Sequence, residues 1–203
     1  MAIGAVVGAA TGFGFIEAIT HLNVSVKQLT WSDGLAYWLG VTYFAIGIAL
    51  FATTYNRREL ARNLEGEQAK LPATDEEVRM YRLQSLTLIL AGALILIPLL
   101  AMGSLGSTTQ RAGIVFSGVV LLWIAQTAIN MIVWRTADEF ARLLILKTAA
   151  IAFGVCQGAL FLWAAAEHLH LARGLTSWDS MMVLMTVYLF TSATLAVKNR
   201  PGA

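Results

Sequence analysis

The sequence predicts an all-α, polytopic membrane protein: six transmembrane helices arranged as three hairpin repeats, with both termini cytoplasmic. Three observations carry the prediction. Of 203 residues, 58% are hydrophobic and 13% charged, whereas a soluble domain is nearer half apolar and a quarter charged. Mean hydropathy is +0.69, and apolar runs of the roughly 20 residues needed to cross a bilayer recur along the chain. The linkers between those runs alternate between basic and non-basic.

The first predicted span covers 2–19, "AIGAVVGAATGFGFIEAI". It has the look of a signal peptide but lacks a basic n-region, so it is expected as a retained helix. The second covers 34–54. Residues 55–82 form the longest polar stretch, in which "NRRELARNLEGEQAKL" is expected to continue the second helix beyond the membrane until Pro72 ends it. Thr74 and Glu77 then have the T-x-x-E spacing of a capping box, in which the hydroxyl accepts a first-turn amide and the carboxylate bonds back. The third span follows at 83–103, with Pro98 expected to kink it, and the fourth at 112–134. Thr136 and Glu139 repeat the T-x-x-E spacing ahead of the fifth span, 143–166. The sixth covers 180–197. The resulting divisions are a hairpin over 1–54, a cytoplasmic helical linker over 55–82, a hairpin over 83–134, and a hairpin with a short tail over 135–203.

Orientation follows from counting the basic residues. Arg57, Arg58, Arg62, Lys70, Arg79, Arg82, Arg135, Arg142, Lys147, Lys198 and Arg200 fall on one side; Lys27, Arg111 and Arg173 fall on the other. Eleven against three puts the first side in the cytoplasm.

Two internal echoes suggest the repeats. Asp75, Glu76, Arg79 and Leu83 align with Asp138, Glu139, Arg142 and Leu146 at an offset of 63. "HLNVSVKQLTW" (21–31) resembles "HLHLARGLTSW" (168–178), each followed closely by an acid, Asp33 or Asp179. The first and fifth spans also share glycine pairs at spacing four, Gly8 with Gly12 and Gly154 with Gly158. Parallel hairpin repeats about an axis near the membrane normal account for these echoes.

The stretch "DEFARLLILKTAAIAFG", followed by "LTSWD" and a last span ending in "KNR", resembles a widespread group of small bacterial inner-membrane proteins. Their pattern is D-E-[FM]-x-R-x-x-x-L-x-x-x-A-x-A-F-G, then a span, then a tryptophan turn. The likeness covers about 138–200 and departs at Leu144, Ile145 and Lys147, where those proteins are more polar and carry a glutamate. It implies a bacterial inner-membrane location and brings no activity with it.

Residues able to carry chemistry are few. His21, His168 and His170 are the histidines. Imidazole is a common ligand, and Ala164 with His168 has the A-x-x-x-H spacing of some pigment-ligating helices, so a haem or pigment is one reading. The plainer reading leaves all three wet at helix ends, since a specific site needs several ligands and support behind them. Glu17 and Glu167 lie near the same ends. Acids deep in a membrane are functional candidates, whereas acids at its edge snorkel to water. Gln126 and Asn130, four apart on one face, either line a polar path or join helices. The charged starts, Asp75, Glu76, Arg79 and Asp138, Glu139, Arg142, read first as helix starts at the membrane edge, with acids at the positive end of the helix dipole.

A lone cysteine, Cys156, excludes an internal disulfide. No C-x-x-C, H-E-x-x-H, phosphate loop or basic-aromatic nucleic-acid surface occurs. The expected function is therefore that of a structural or accessory subunit in a bacterial inner-membrane complex, without catalysis of its own. Its partners would be the lipid bilayer and other membrane subunits, with the glycine pairs as packing faces. A small transporter or channel, and a haem- or pigment-binding protein using His21 and His168, are the competing expectations.

Overall fold

The computed structural model describes residues 30–65, 71–104 and 109–198. The predicted first span, with Gly8, Gly12, Glu17 and His21, lies outside the described residues, so the six-span count and the first hairpin rest on sequence alone. Six helices are described: α1 (Trp31–Thr53), α2 (Arg57–Glu65), α3 (Asp75–Ser104), α4 (Thr109–Thr136), α5 (Glu139–His168) and α6 (Ser177–Lys198). All but α2 are long and apolar enough to cross a membrane, the signature of a multi-pass membrane protein. The helices overrun the predicted spans because their capped starts are helical too. The 30 residues of α3 extend about 45 Å at 1.5 Å per residue, against about 30 Å of hydrocarbon.

The chain divides into two compact units, 1–136 and 137–203. In the first, α1 starts at a capping box. Thr30 Oγ1 accepts from Asp33 N, and Asp33 Oδ2 accepts from Thr30 N at 2.9 Å. The predicted continuation of this helix past the membrane is incorrect. Helix α1 stops at Thr53, the chain turns through Thr54 and Tyr55, and Asn56 Oδ1 accepts from Arg58 N and Glu59 N at 3.2 and 3.3 Å. Asn56 thus caps a new helix, α2. Leu60 and Ala61 of α2 are buried with Ala73, Val78 and the flank of Tyr81, and this apolar cluster fixes the break. The expected box at Thr74 is present: Thr74 N donates to Glu77 Oε2 at 2.7 Å, and Glu77 N donates to Thr74 Oγ1 at 3.3 Å.

Helices α1 and α3 form the tightest pair. They run antiparallel, with Gly40 meeting Gly92 and Leu96, Gly47 meeting Ser85 and Ile89, and Thr54 meeting Arg82. Small residues stand seven apart on each side of the seam, Gly40 with Gly47 and Ser85 with Gly92. A seven-residue repeat keeps one seam of two supercoiled helices in contact. Helix α4 packs more lightly on α3, where Gln126 Nε2 reaches Thr87 O at 3.5 Å.

The second unit is the α5–α6 hairpin. Its start corrects a second expectation: Thr136 does not cap α5. Its hydroxyl donates to Ile132 O at 2.9 Å and closes α4, while Asp138 Oδ1 accepts from Ala141 N at 2.8 Å. The carboxylate of Asp138 is therefore the cap. The two charged starts also differ in helical register. Their caps, Thr74 and Asp138, are 64 apart (138 − 74), one more than the offset that aligns their charges. Thr148, Ala152 and Cys156, at spacing four, form the buried face of α5. Met182 and Leu195 are buried on α6.

Candidate functional site: a basic cleft and an open glycine face

Where α1 ends and α3 begins, the broken helix opens a cleft of about 340 Å³. Thr54, Tyr55, Arg57, Asp75, Val78, Arg79, Arg82 and Leu83 line it. The Thr54–Asn56 turn lifts Tyr55 and Arg57 off the α1 axis, and the first two turns of α3 supply the other charges. Arg82 is held on two sides. Its Nε donates to Thr54 Oγ1 at 3.3 Å, and its guanidinium carbon stands 6.0 Å from the centre of the Tyr55 ring, within cation–π range. Phe51 sets that ring by an edge contact, with centroids 5.8 Å apart. Arg57 pairs with Asp75. Both side chains are exposed, at 53% and 86%, and such a pair contributes only about 0–1 kcal/mol. Arg79 is exposed and has no ion-pair partner among the described residues. The lining thus holds three guanidinium groups and one carboxylate.

The second feature is a face of α5. Gly154 and Gly158 lie opposite its buried stripe, and among the described residues a β-carbon on either would meet nothing within 4 Å. Ile151 and Phe161 flank them on the same side and are exposed. Gly113 and Gly118 of α4 are equally open. The seam glycines of α1 and α3 behave differently, since a β-carbon on Gly40, Gly47 or Gly92 would stand 2.6–2.7 Å from the opposing helix.

The remaining candidates are scattered. Asp75 and Arg79 line the cleft, while Glu76 is exposed beside it. In the second unit Asp138 caps α5, Glu139 is exposed and Arg142 is half-buried. Gln126 is half-buried against α3, and Asn130, one turn on, is exposed. His168 is the last residue of α5 and is exposed, as is His170.

His170 has φ of 58° and occupies the left-handed position that ends α5. Leu171 N donates to Ala166 O at 2.8 Å, and His170 N donates to Glu167 O at 3.0 Å. These are the two bonds of a Schellman motif. The loop beyond it is tied down by Trp163 Nε1, which donates to Arg173 O at 3.0 Å. Glu167 lies over Gly174, whose β-carbon would stand 2.8 Å from Glu167 Oε1. Among the described residues, no group of three or more His, Cys, Asp or Glu side chains is placed to hold a metal.

Several structural residues escaped the sequence reading although signals for them existed. Gly40 with Gly47, and Ser85 with Gly92, stand seven apart and not four. The T-x-x-D boxes at Thr30–Asp33 and Thr176–Asp179 underlie the echo between the two tryptophan stretches; in the second, Thr176 N donates to Asp179 Oδ2 at 2.9 Å and Asp179 N to Thr176 Oγ1 at 3.1 Å. Thr54 and Tyr55 carry no motif, because their role arises only from the helix break. Compared with family models, with the curated proteins and with the solved structures, the chain matches none.

Proposed function

We propose that this chain is a non-catalytic helical subunit of a bacterial inner-membrane complex, seated through the glycine face of α5. The observation that supports this is the space that the described residues leave open above Gly154 and Gly158, set against the filled space above Gly40, Gly47 and Gly92. Apolar surface gives helices little drive to associate in lipid, so close packing through small residues takes its place. A glycine inside a helix costs about 0.5–1 kcal/mol relative to alanine. In the α1–α3 seam that cost is offset by backbone contact. On α5 a transmembrane helix of another polypeptide supplies the corresponding contact. Its backbone approaches at the glycines, between Ile151 and Phe161. The bilayer covers the remaining exposed apolar side chains.

The bacterial inner membrane as location, and the basic linkers as the cytoplasmic side, rest on the resemblance over 138–200 and on the distribution of arginine and lysine. Extraction of the native membrane in a mild detergent, followed by mass measurement of the particle, tests the subunit assignment. The expected particle contains this chain and a second membrane polypeptide in fixed ratio. A stable, monodisperse and partnerless chain contradicts it.

A further inference from the structure

We propose that the cleft between the end of α1 and the start of α3 is an anion site for a phosphate group, with Arg79 and Arg82 as its donors and Arg57 as an exchangeable third. Guanidinium forks match phosphate oxygens geometrically as well as in charge. Arg82 is already oriented by Thr54 and the Tyr55 ring, which uses its Nε and leaves its two terminal amino groups without a hydrogen bond among the described residues. Arg79 stands one turn before it along α3 on the same cleft wall. Among the described residues the Arg57 side chain is engaged only by the exposed Asp75 carboxylate, a weak surface contact that a phosphate can replace.

The size of the cleft, about 340 Å³, falls at the small end of the range for small-molecule sites, enough for a headgroup or a phosphorylated fragment. Val78 and Leu83 give one side an apolar wall, and Leu83 leads into the apolar part of α3. The shared chemistry is a phosphate mono- or diester. Its source is either an anionic lipid headgroup, with its glycerol end along that wall, or a soluble phosphate compound. The site needs neither a partner subunit nor a particular orientation in the membrane.

Binding of dioleoyl phosphatidylglycerol and of inorganic phosphate to the full chain in detergent, counted by native mass spectrometry, tests the proposal. Arg79→Gln with Arg82→Gln is expected to weaken retention of the phosphate species by about tenfold or more, as loss of charged hydrogen bonds implies. The exposed α2 pair Arg58→Gln with Arg62→Gln removes equal charge outside the cleft and is expected to change it by less than about twofold. Retention of the lipid alone identifies a headgroup site; displacement of the lipid by inorganic phosphate, with the same dependence on Arg79 and Arg82, identifies a soluble ligand. Equal losses in both pairs, or no phosphate retention by the unsubstituted chain, overturn the site. Because Arg82 also joins the two helices, Arg79→Gln alone carries the test if the double variant does not fold. Its expected loss is about threefold, and an unchanged retention overturns the role of Arg79.

Discussion

Gly92 of α3 faces the backbone of Gly40 on α1, and a β-carbon on Gly92 would stand 2.7 Å from Gly40 O and 2.8 Å from Phe44 N. Both obstacles are main chain, so neither can rotate away. Gly92→Ala must push the helices apart and is expected to destabilise the first unit by about 1–3 kcal/mol, as overpacking does. Gly40→Ala meets only the side chain of Leu96 at its two nearest atoms, which can change rotamer, and should cost less. Unfolding of the detergent-solubilised chain, followed by circular dichroism, gives the order. Equal stability of Gly92→Ala and the parent would show that α1 and α3 do not approach as described.

The open glycines predict the reverse. Gly118→Ala on α4 places its methyl where the described residues leave the space empty, removes backbone freedom from the unfolded chain and is expected to stabilise the isolated chain by up to about 1 kcal/mol. The same unfolding measurement reads it. A loss comparable to that of Gly92→Ala would mean that α4 packs against something on that side within the chain.

At the start of α5, Asp138→Ala should cost about 1 kcal/mol, the worth of an N-cap. Thr136→Ala removes a hydroxyl that, among the described residues, bonds only to Ile132 O and Val133 O of its own helix, and should cost distinctly less. Hydrogen exchange at Ala141 N, the amide held by Asp138 Oδ1, separates the two. Faster exchange in Thr136→Ala than in Asp138→Ala would restore the threonine as the cap.

His170 sits at φ 58°, where a β-carbon costs roughly 1–2 kcal/mol. His170→Gly is therefore expected to leave the α5–α6 hairpin as stable or more so, and His170→Val to weaken it, since a branched side chain tolerates that conformation worst. Thermal unfolding of the three forms gives the order. A large loss in His170→Gly would assign the imidazole a role beyond ending the helix.

Much of the architecture was legible in the sequence because apolar length and capping chemistry are local. The apolar runs place α1, α3, α4, α5 and α6, and the T-x-x-E spacing places the start of α3. The break at Thr54–Asn56 was not legible. "NRRELARNLE" is a good helix whether or not it is joined to the preceding one, and the break depends on Leu60 and Ala61 meeting Ala73 and Val78 across a turn. The α1–α3 seam was hidden for a related reason: a seven-residue glycine spacing means little until two helices are laid side by side. Asp138 displaced Thr136 because Thr136 is already committed to α4, a competition that spacing alone does not reveal. The cleft depends on the first two, the break and the seam, so its arginines were read only as charges on one side of a membrane and, for Arg79, as part of a helix start.

The central claim is that another polypeptide fills the space above Gly154 and Gly158. The most direct measurement is the ratio of partner to this chain in particles extracted from membranes carrying Gly158→Leu, compared with the parent and with Asn130→Leu, an exposed site on α4. If the claim holds, Gly158→Leu folds normally, since among the described residues nothing lies within 4 Å of its β-carbon, and loses the partner by about tenfold or more, while Asn130→Leu retains it. A Gly158→Leu chain that keeps its partner at the parental ratio would contradict the claim.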